Sequence, residues 1–231
     1  MPQTVQSSQR NRLLGAMSGI DADKFFSDLQ PVSFALRHIV YQVGAPLEYV
    51  YFVEQGVVSI LTQMTNGERI EAGMIGPEGV VGLPALFGDA MSGQQMIVQA
   101  PVAALRMGAA ECIAAFDQSA AVRTVMLRYT GTLLGIATQT AACNRLHSLQ
   151  ERSARWLLMM HDRLQSDAMP LTHDFLSIML GVRRTRVTEA AGELQRLGLI
   201  RYARGTVTIL DRRGLSAKAC ECYRDHDRLS G

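Results

Sequence analysis

Short runs of β-branched and aromatic residues, separated by glycine-rich turns, fill the first half of the chain. These runs alternate at close spacing in the segment HIVYQVGAPLEYVYFVEQGVVSILTQMTNGERIEAGMIGPEGVVGLPALFG. Turn signals fall at residues 43–45 and 55–56, and Asn66-Gly67, between two strand-like runs, is the sharpest hairpin signal in the chain. The pattern predicts a compact antiparallel β-roll over about residues 30 to 108.

After this segment the hydrophobic period becomes helical. No proline interrupts residues 119–147, and apolar residues recur there at a spacing of three or four, which predicts one long helix. A long helix that leaves a small β-domain cannot bury its apolar stripe on that domain along its whole length, so we expect a twofold partner helix to cover it. The residues expected at this dimer interface are Val122, Val125, Tyr129 and Ile136. The alternative is a helix packed wholly inside its own chain.

Two short helices are predicted between residues 172 and 197. Thr172 is placed to cap the first helix, and Gly181 ends it. The second helix has one apolar face, which leaves its polar positions on or near the opposite face. The apolar face comprises Val187, Ala190, Ala191, Leu194 and Leu197, and the polar positions are Arg184, Thr185, Thr188 and Glu189. With two short strands predicted around Arg204-Gly205, this order indicates a winged helix-turn-helix.

Four parts follow from these patterns. They are an N-terminal tail (1–20), a β-roll sensor domain (21–118), a dimerisation helix (119–147) and a winged helix-turn-helix domain (148–231). The predicted fold class is α+β.

The charge of the chain is unevenly distributed. Residues 1–150 contain 9 Lys or Arg against 11 Asp or Glu, whereas residues 151–231 contain 14 against 10. A basic second half suits a partner with a phosphate backbone, and nearly all of its cations are arginine, which suits bidentate contacts. An arginine-rich helix surface can also be merely solvated. The coincidence of the arginines with the turn, the apolar register and the wing favours binding to double-stranded DNA.

Other classes of protein find little support in the sequence. With 48% apolar and 19% charged residues the chain is typical of a globular protein. It shows no signal peptide and no membrane-length apolar run, so we expect a cytoplasmic protein without a membrane partner. No nucleophile–base pair, paired carboxylates or phosphate loop can be picked out, and we expect no enzyme activity.

The cysteines and histidines suggest no metal site at this level. Cys112, Cys143, Cys220 and Cys222 lack zinc-type spacing, and the five histidines are isolated along the chain. We interpret the cysteines as reduced thiols with a structural or incidental role in preference to metal ligands. The absence of an N-terminal cysteine group also argues against an iron–sulfur cluster.

From about residue 20 to residue 215 the chain resembles the Crp/Fnr superfamily of bacterial transcription regulators. The segments YVYFVEQGVVSIL and LTHDFLSIMLGVRRTRVTEAAGELQRLGLI carry the resemblance. It implies a homodimer that binds DNA and contacts RNA polymerase. It also implies base reading by Arg184, Thr185 and Glu189, where Arg-Thr-x-x-x-Glu replaces the Arg-Glu-x-x-x-Arg of many relatives, so their operator sequence does not transfer.

The same resemblance places an effector pocket in the β-roll, at Gly82, Leu83, Gln94 and Gln95. Family members that bind cyclic nucleotides carry Gly-Glu for the ribose and Arg-Ser or Arg-Thr for the phosphate. Here Leu83 follows Gly82, and the phosphate position falls in SGQQM. Burying a phosphate without a cation costs free energy, so we expect that cyclic AMP does not bind tightly. The sequence identifies no other cofactor.

The sequence leaves two functions open. In the first, the protein is a homodimeric transcription regulator. Its phosphate contacts would come from Thr172, Arg183, Arg186, Thr188 and Arg204. In the second, the β-roll binds a ligand or partner and the winged helix mediates a protein interaction. Arg184 and its neighbouring arginines favour the first function.

Overall fold

A computed structural model describes residues 10–17 and 23–224. The chain forms two compact units. The first comprises the residues up to Ser59 together with Met74–Gly131, and the second comprises Ile60–Gly73 together with the residues from Thr132 onward. A β-rich first part, a long helix and a C-terminal helix-turn-helix confirm the predicted α+β class.

Part of the predicted N-terminal tail is a folded element of the first unit. Helix α1 is Arg12–Met17, and Leu13, Leu14 and Met17 are buried. Asn11 is fully buried: its side-chain oxygen accepts from the backbone N–H groups of the first turn, and its amide donates to the carbonyls of Val53 and Gly79 at 2.7 and 2.8 Å. The prediction of a tail is therefore wrong for residues 10–17, and residues 1–9 and 18–20 lie outside the described ranges.

The first unit is built around an antiparallel sheet. Helix α2 (Asp23–Ser27) precedes it. The strands are β1 (Gln30–Phe34), β2 (Ile39–Tyr41), β3 (Tyr49–Gln63), β4 (Arg69–Ile75), β5 (Val80–Val81) and β6 (Gln95–Gly108). Their order is β1-β6-β3-β4, with β2 also paired to β6 and β5 to β3. A 3-10 helix, Leu83–Phe87, follows β5. Val50, Phe52, Val80 and Val98 are fully buried and form part of the core of this unit.

Gly56 corrects one predicted turn. The chain does not reverse at residues 55–56 but continues through them within β3. Gly56 has a φ of 87°, and a Cβ at this position would lie 2.1 Å from the carbonyl oxygen of Pro101. The residue is a point of close backbone approach inside a strand, a role that glycine often has in sheets.

The hairpin predicted at Asn66-Gly67 is confirmed. Gly67 has a φ of 85°, and its N–H donates to the carbonyl of Met64 at 2.9 Å. The turn joins β3 to β4, and residues 60–73 at its tip belong to the second unit.

Helix α3 (Ala109–Gln118) leads into the long helix α4 (Ala120–Leu146). On α4, Val122, Tyr129 and Ile136 are already buried in their own chain, and Val125 is only partly exposed. The predicted dimer interface therefore needs correction, because three of its four side chains are used inside the protomer. The exposed large apolar side chains of α4 are Leu127, Leu134 and Leu146, with 49%, 69% and 75% exposure.

The second unit contains the C-terminal elements. They are α5 (Leu149–Leu164), β7 (Ala168–Pro170), α6 (His173–Leu180), α7 (Arg184–Arg196), β8 (Ile200–Ala203), β9 (Thr206–Ile209) and α8 (Arg212–Lys218). A capping box between Ser148 and Glu151 begins α5. The three strands are ordered β7-β9-β8. No helix of the described ranges is both long and apolar enough to cross a membrane.

The hairpin tip packs against the helices of the same unit. The indole N–H of Trp156 on α5 donates to the carboxylate of Glu71 at 3.0 Å, and both side chains are buried. Ile70 lies against Gly181, at the end of α6. The β3–β4 hairpin therefore packs against the turn between α6 and α7.

Candidate nucleic-acid interface and neighbouring sites

The turn between α6 and α7 has well-defined local geometry. Gly181 ends α6 with φ 63° and ψ 42°, a left-handed conformation that favours glycine. Its N–H donates to Ile178 and that of Val182 to Ser177, at 3.2 and 3.0 Å, which is the hydrogen-bond pattern of a Schellman motif. The two helices are therefore joined by three residues, Gly181 to Arg183, and the glycine predicted to end the first helix is the first of them.

Helix α7 has one buried and one exposed face. Val187, Ala190, Ala191 and Leu194 are buried, as predicted. Leu197, which was placed on the same face, is the C-cap residue of the helix and is 48% exposed, so the prediction of a buried position is wrong there. The polar residues at the start of α7 are exposed: Arg183, Arg184, Thr185, Arg186, Thr188 and Glu189.

Two of the exposed arginines form surface ion pairs. Arg184 lies 3.4 Å from Asp174 of α6, and Arg186 lies 3.2 Å from Glu189 one turn along α7. All four side chains are more than 60% exposed. Such exposed pairs each contribute about 0–1 kcal/mol to stability. A phosphate or base edge can therefore replace Asp174 or Glu189 as the partner of the arginine at little cost. The sequence reasoning missed Asp174, since nothing in a linear pattern marks an acidic residue as the partner of a particular arginine.

Thr188 is committed to contacts inside the unit. Its hydroxyl donates to the carbonyl of Arg184 at 3.2 Å and lies 3.0 Å from Nδ1 of His173. Burial and the charge of Arg184 lower the pKa of His173, so the neutral imidazole is favoured. The Thr188 hydroxyl must give up one of these contacts to donate to a phosphate, so its phosphate contact stays a prediction.

Thr172 caps α6 as predicted. Its hydroxyl oxygen accepts from the backbone N–H of Phe175 at 3.2 Å, and this bond leaves the hydroxyl hydrogen for another acceptor. The wing turn lies close by, since Thr172 Cγ2 is 3.8 Å from the Cβ position of Gly205. In that turn Arg204 and Gly205 have φ values of 49° and 74° between the paired residues Ala203 and Thr206, as in a two-residue hairpin. Arg204 is exposed at its tip.

The four residues of the predicted effector pocket lie at the start of the 3-10 helix and at the start of β6. Gly82 and Leu83 begin the 3-10 helix, and the Leu83 side chain is buried. Gln95 is buried as well, and its amide donates to Gln42 at 2.7 Å, while Gln94 is partly exposed. None of the four carries a charge.

Arg106 is a cation of this unit that an anionic ligand could recruit. It stacks over the ring of Tyr49 at 4.6 Å and donates to the side chain of Gln30 at 3.2 Å. A ligand would have to compete with both contacts.

Three of the four cysteines lie close together in space. The ligand atoms of Cys143, His147, Cys220 and Cys222 all lie within 4.8 Å of one another. A hydrogen bond with the Cys220 thiol lowers the pKa of Cys143 to about 5, and the charge of Arg155 acts in the same direction. The expectation of isolated thiols and histidines is thus wrong at these four positions. The signals that could have shown it are the helical Cys-x-x-x-His spacing and the Cys-x-Cys sequence.

Comparison with known protein families matches both parts of the chain. Residues 31–119 match the cyclic nucleotide-binding domain, and residues 151–218 match the Crp-like helix-turn-helix domain. Together the two matches cover more than half of the chain. The chain belongs to the Crp/Fnr superfamily.

Solved structures of other proteins share the fold. FixK2 from Bradyrhizobium japonicum is 20% identical, with a TM-score of 0.71 over 83% of this chain and 98% of that one. A putative regulator of the family from Eubacterium rectale is 18% identical, with a TM-score of 0.72 over 89% and 96%. A family regulator from Thermus thermophilus is 23% identical, with a TM-score of 0.70 over 82% and 98%. No curated protein sequence matches this Crp/Fnr chain.

Proposed function

We propose that this Crp/Fnr protein is a sequence-specific DNA-binding transcription regulator that acts as a homodimer. The observation that carries the proposal is the start of α7, where Arg183, Arg184 and Arg186 are exposed beside a rigid turn while the opposite face of the helix is buried. In a helix-turn-helix the N-terminal residues of the second helix reach the base edges in the major groove.

Arg184, Thr185 and Glu189 are the base-reading residues in this proposal. Arginine suits the N7 and O6 acceptors of guanine, and glutamate can accept from the amino group of cytosine. We therefore expect a G·C pair in each half-site, with half-sites about one helical turn apart for a twofold dimer. Arg186 must leave Glu189 when DNA binds, and the exposure of this pair makes the exchange inexpensive.

Phosphate contacts are assigned to Thr172, Arg183, Arg186, Thr188 and Arg204. The Thr172 hydroxyl keeps its hydrogen, and Arg204 lies at the tip of the adjacent wing. Such contacts position the protein on the duplex without reading its sequence.

Binding titrations over a salt series, on specific and scrambled duplexes, test this division. Arg184→Ala should cost about 1–3 kcal/mol on the specific duplex and flatten discrimination at one base position. Arg186→Ala should weaken both duplexes alike and lower the salt slope by about one unit per half-site. Arg196→Ala is the matched control, because Arg196 is exposed at the far end of the same helix, about 18 Å along its axis.

Two outcomes oppose the proposal. Equal loss on both duplexes for Arg184→Ala, with the preference between them kept, would refute base reading by this residue. Absence of any duplex preference in the unaltered protein would favour the alternative in which the winged helix binds another protein, such as RNA polymerase.

The proposed dimer forms through Leu127, Gly131 and Leu134, which we call the exposed stripe of α4. Leu127 and Leu134 lie two turns apart on the same face, and Gly131 lies between them with nothing within 4 Å of its Cβ position. A glycine flanked by exposed leucines lets a second helix approach closely, and covering these leucines removes apolar surface from water.

Cyclic nucleotides are not the effector in this proposal. The pocket residues Gly82, Leu83, Gln94 and Gln95 provide no carboxylate for a ribose and no cation for a phosphate, and Arg106 is already stacked on Tyr49. Calorimetric titration with cyclic AMP and cyclic GMP should show no tight binding. Low-micromolar binding would contradict this, and its loss in an Arg106→Ala variant would identify the recruited cation.

A further inference from the structure

Three thiols and one imidazole lie close together in the second unit. They come from parts of the sequence outside α7, the helix proposed to read DNA. Cys143 lies in the last turn of α4 and His147 one turn later, where the backbone N–H of His147 still donates to the carbonyl of Cys143 at 3.2 Å. Cys220 and Cys222 come from the segment that follows α8. The three sulfur atoms belong to buried residues, with exposures of 0%, 4% and 1%.

The distances between these groups suit a tetrahedral metal. Zinc bound at about 2.3 Å to sulfur and about 2.0 Å to nitrogen requires ligand atoms roughly 3.5–3.8 Å apart. Cys143 Sγ lies 3.6 Å from Cys220 Sγ, and Cys222 Sγ lies 3.6 Å from His147 Nδ1. All the remaining ligand-atom pairs are within 4.8 Å. The cysteines are free thiols, so a disulfide does not explain their proximity.

The surrounding side chains are those that a metal site uses to orient its ligands. His147 presents Nδ1 to the cluster, and its other nitrogen, Nε2, lies 3.2 Å from the carboxylate of Glu221. A carboxylate on the second nitrogen fixes the tautomer and ring orientation of a metal-bound histidine. The amide of Gln139 donates to Cys222 Sγ at 2.9 Å.

The charge of a bound metal would also be balanced. Three thiolates, one neutral imidazole and Zn²⁺ leave one negative charge, which a buried site must compensate. Arg155 is 7% exposed and close enough to Cys143 to act on it electrostatically. A basic side chain is therefore already buried beside the cluster.

We propose that Cys143, His147, Cys220 and Cys222 bind one Zn²⁺ per chain. Three sulfur ligands and one nitrogen ligand form a common closed zinc site, and a site with four protein ligands is structural. Binding converts the thiols to thiolates, whose protons go to solvent, and changes no oxidation state. The metal fastens the segment after α8 to the end of α4.

The test measures metal content on the full chain purified under reducing conditions, in the absence of DNA. Elemental analysis should find about one zinc per chain, removable by a chelator and restored by added Zn²⁺ alone. Substituted Co²⁺ should give the visible ligand-field bands of a tetrahedral site with thiolate charge transfer. Cys222→Ala and His147→Ala should lose both signals. Cys112→Ala is the matched control, because it removes a buried cysteine of the first unit.

Two further variants keep the proposal testable if an alanine variant fails to fold. His147→Cys should retain one metal, with the cobalt bands shifted as expected for four sulfur ligands. Glu221→Gln should retain the site with an affinity for zinc about 10- to 100-fold lower.

The proposal is overturned by zinc below a tenth of an equivalent in reduced protein supplied with Zn²⁺. It is equally overturned by cobalt spectra that do not differ between Cys112→Ala and Cys222→Ala. Reversible formation of a Cys143–Cys220 disulfide in protein that takes up no zinc would assign the cluster to thiol redox chemistry instead.

Discussion

Replacement of Gly181 by alanine tests how the helix-turn-helix is held in place. At a φ of +63° an added Cβ costs about 1–2 kcal/mol by itself. The same Cβ would lie 2.5 Å from Cδ1 of Ile70, the far end of a flexible side chain on the β3–β4 hairpin. Ile70 must then leave its position, and a displaced rotamer costs about 0.5–1.5 kcal/mol more. We expect Gly181→Ala to destabilise the second unit by about 1.5–3.5 kcal/mol.

Gly198 supplies the matched control. It follows α7 as Gly181 follows α6, its φ is +70°, and nothing lies within 4 Å of its Cβ position. Gly198→Ala should therefore show the conformational cost alone, and the entropic effect of alanine on the unfolded chain is common to both variants. The difference between them measures the contact with Ile70. In an Ile70→Ala background this difference should vanish.

The assay is urea unfolding at a fixed protein concentration, followed by tryptophan fluorescence. Trp156 is the single tryptophan and is buried in the same unit as both glycines, so its emission reports the unfolding of that unit. Equal destabilisation by Gly181→Ala and Gly198→Ala would refute the packing of the hairpin against the turn. No cost for Gly198→Ala would refute the argument from positive φ.

Three other substitutions give distinct outcomes. Leu134→Glu, which places a charge on the exposed stripe of α4, should give monomers in sedimentation velocity with unchanged far-ultraviolet circular dichroism, and a persistent dimer would place the interface elsewhere. Asp174→Asn removes an acidic group beside Arg184 and should tighten binding to specific and scrambled duplexes alike, whereas unchanged affinity in low salt would show that the pair is irrelevant to DNA. Asn11→Ala leaves the buried carbonyls of Val53 and Gly79 without this donor and should lower the thermal stability of the first unit by about 1–3 kcal/mol, and an unchanged melting curve would contradict this.

The helix-turn-helix could be predicted because its signals are local. Thr172 caps α6 and Gly181 ends the same helix nine positions later. The apolar period of α7 begins soon afterwards. Local chemistry of this kind acts whatever surrounds it. The Asn66-Gly67 hairpin was predictable for the same reason.

Features that depend on tertiary contacts could not be predicted from the sequence. A turn was predicted at Gly56, and only its close approach to the backbone of Pro101 shows that it is part of a strand. The helical period of α4 was predicted correctly, but whether Tyr129 and Ile136 face a partner or their own chain depends on what packs beside them. Gly79 and Gly73 provide that packing within the protomer.

The cysteine cluster shows the same limit at greater sequence distance. Cys143 and Cys220 are 77 positions apart, and no linear spacing links them. The fold of the second unit brings them together.

The separation of faces on α7 has a consequence for the evolution of binding preference. The buried residues Val187, Ala190, Ala191 and Leu194 fix the helix, whereas Arg184, Thr185 and Glu189 point away from that core. Most substitutions at exposed positions change stability by less than about 0.5 kcal/mol. Under the proposed base reading by these residues, a new operator can be acquired through three codons while the scaffold stays intact. The same separation would allow a combinatorial library at these three codons to be selected for new duplex preferences.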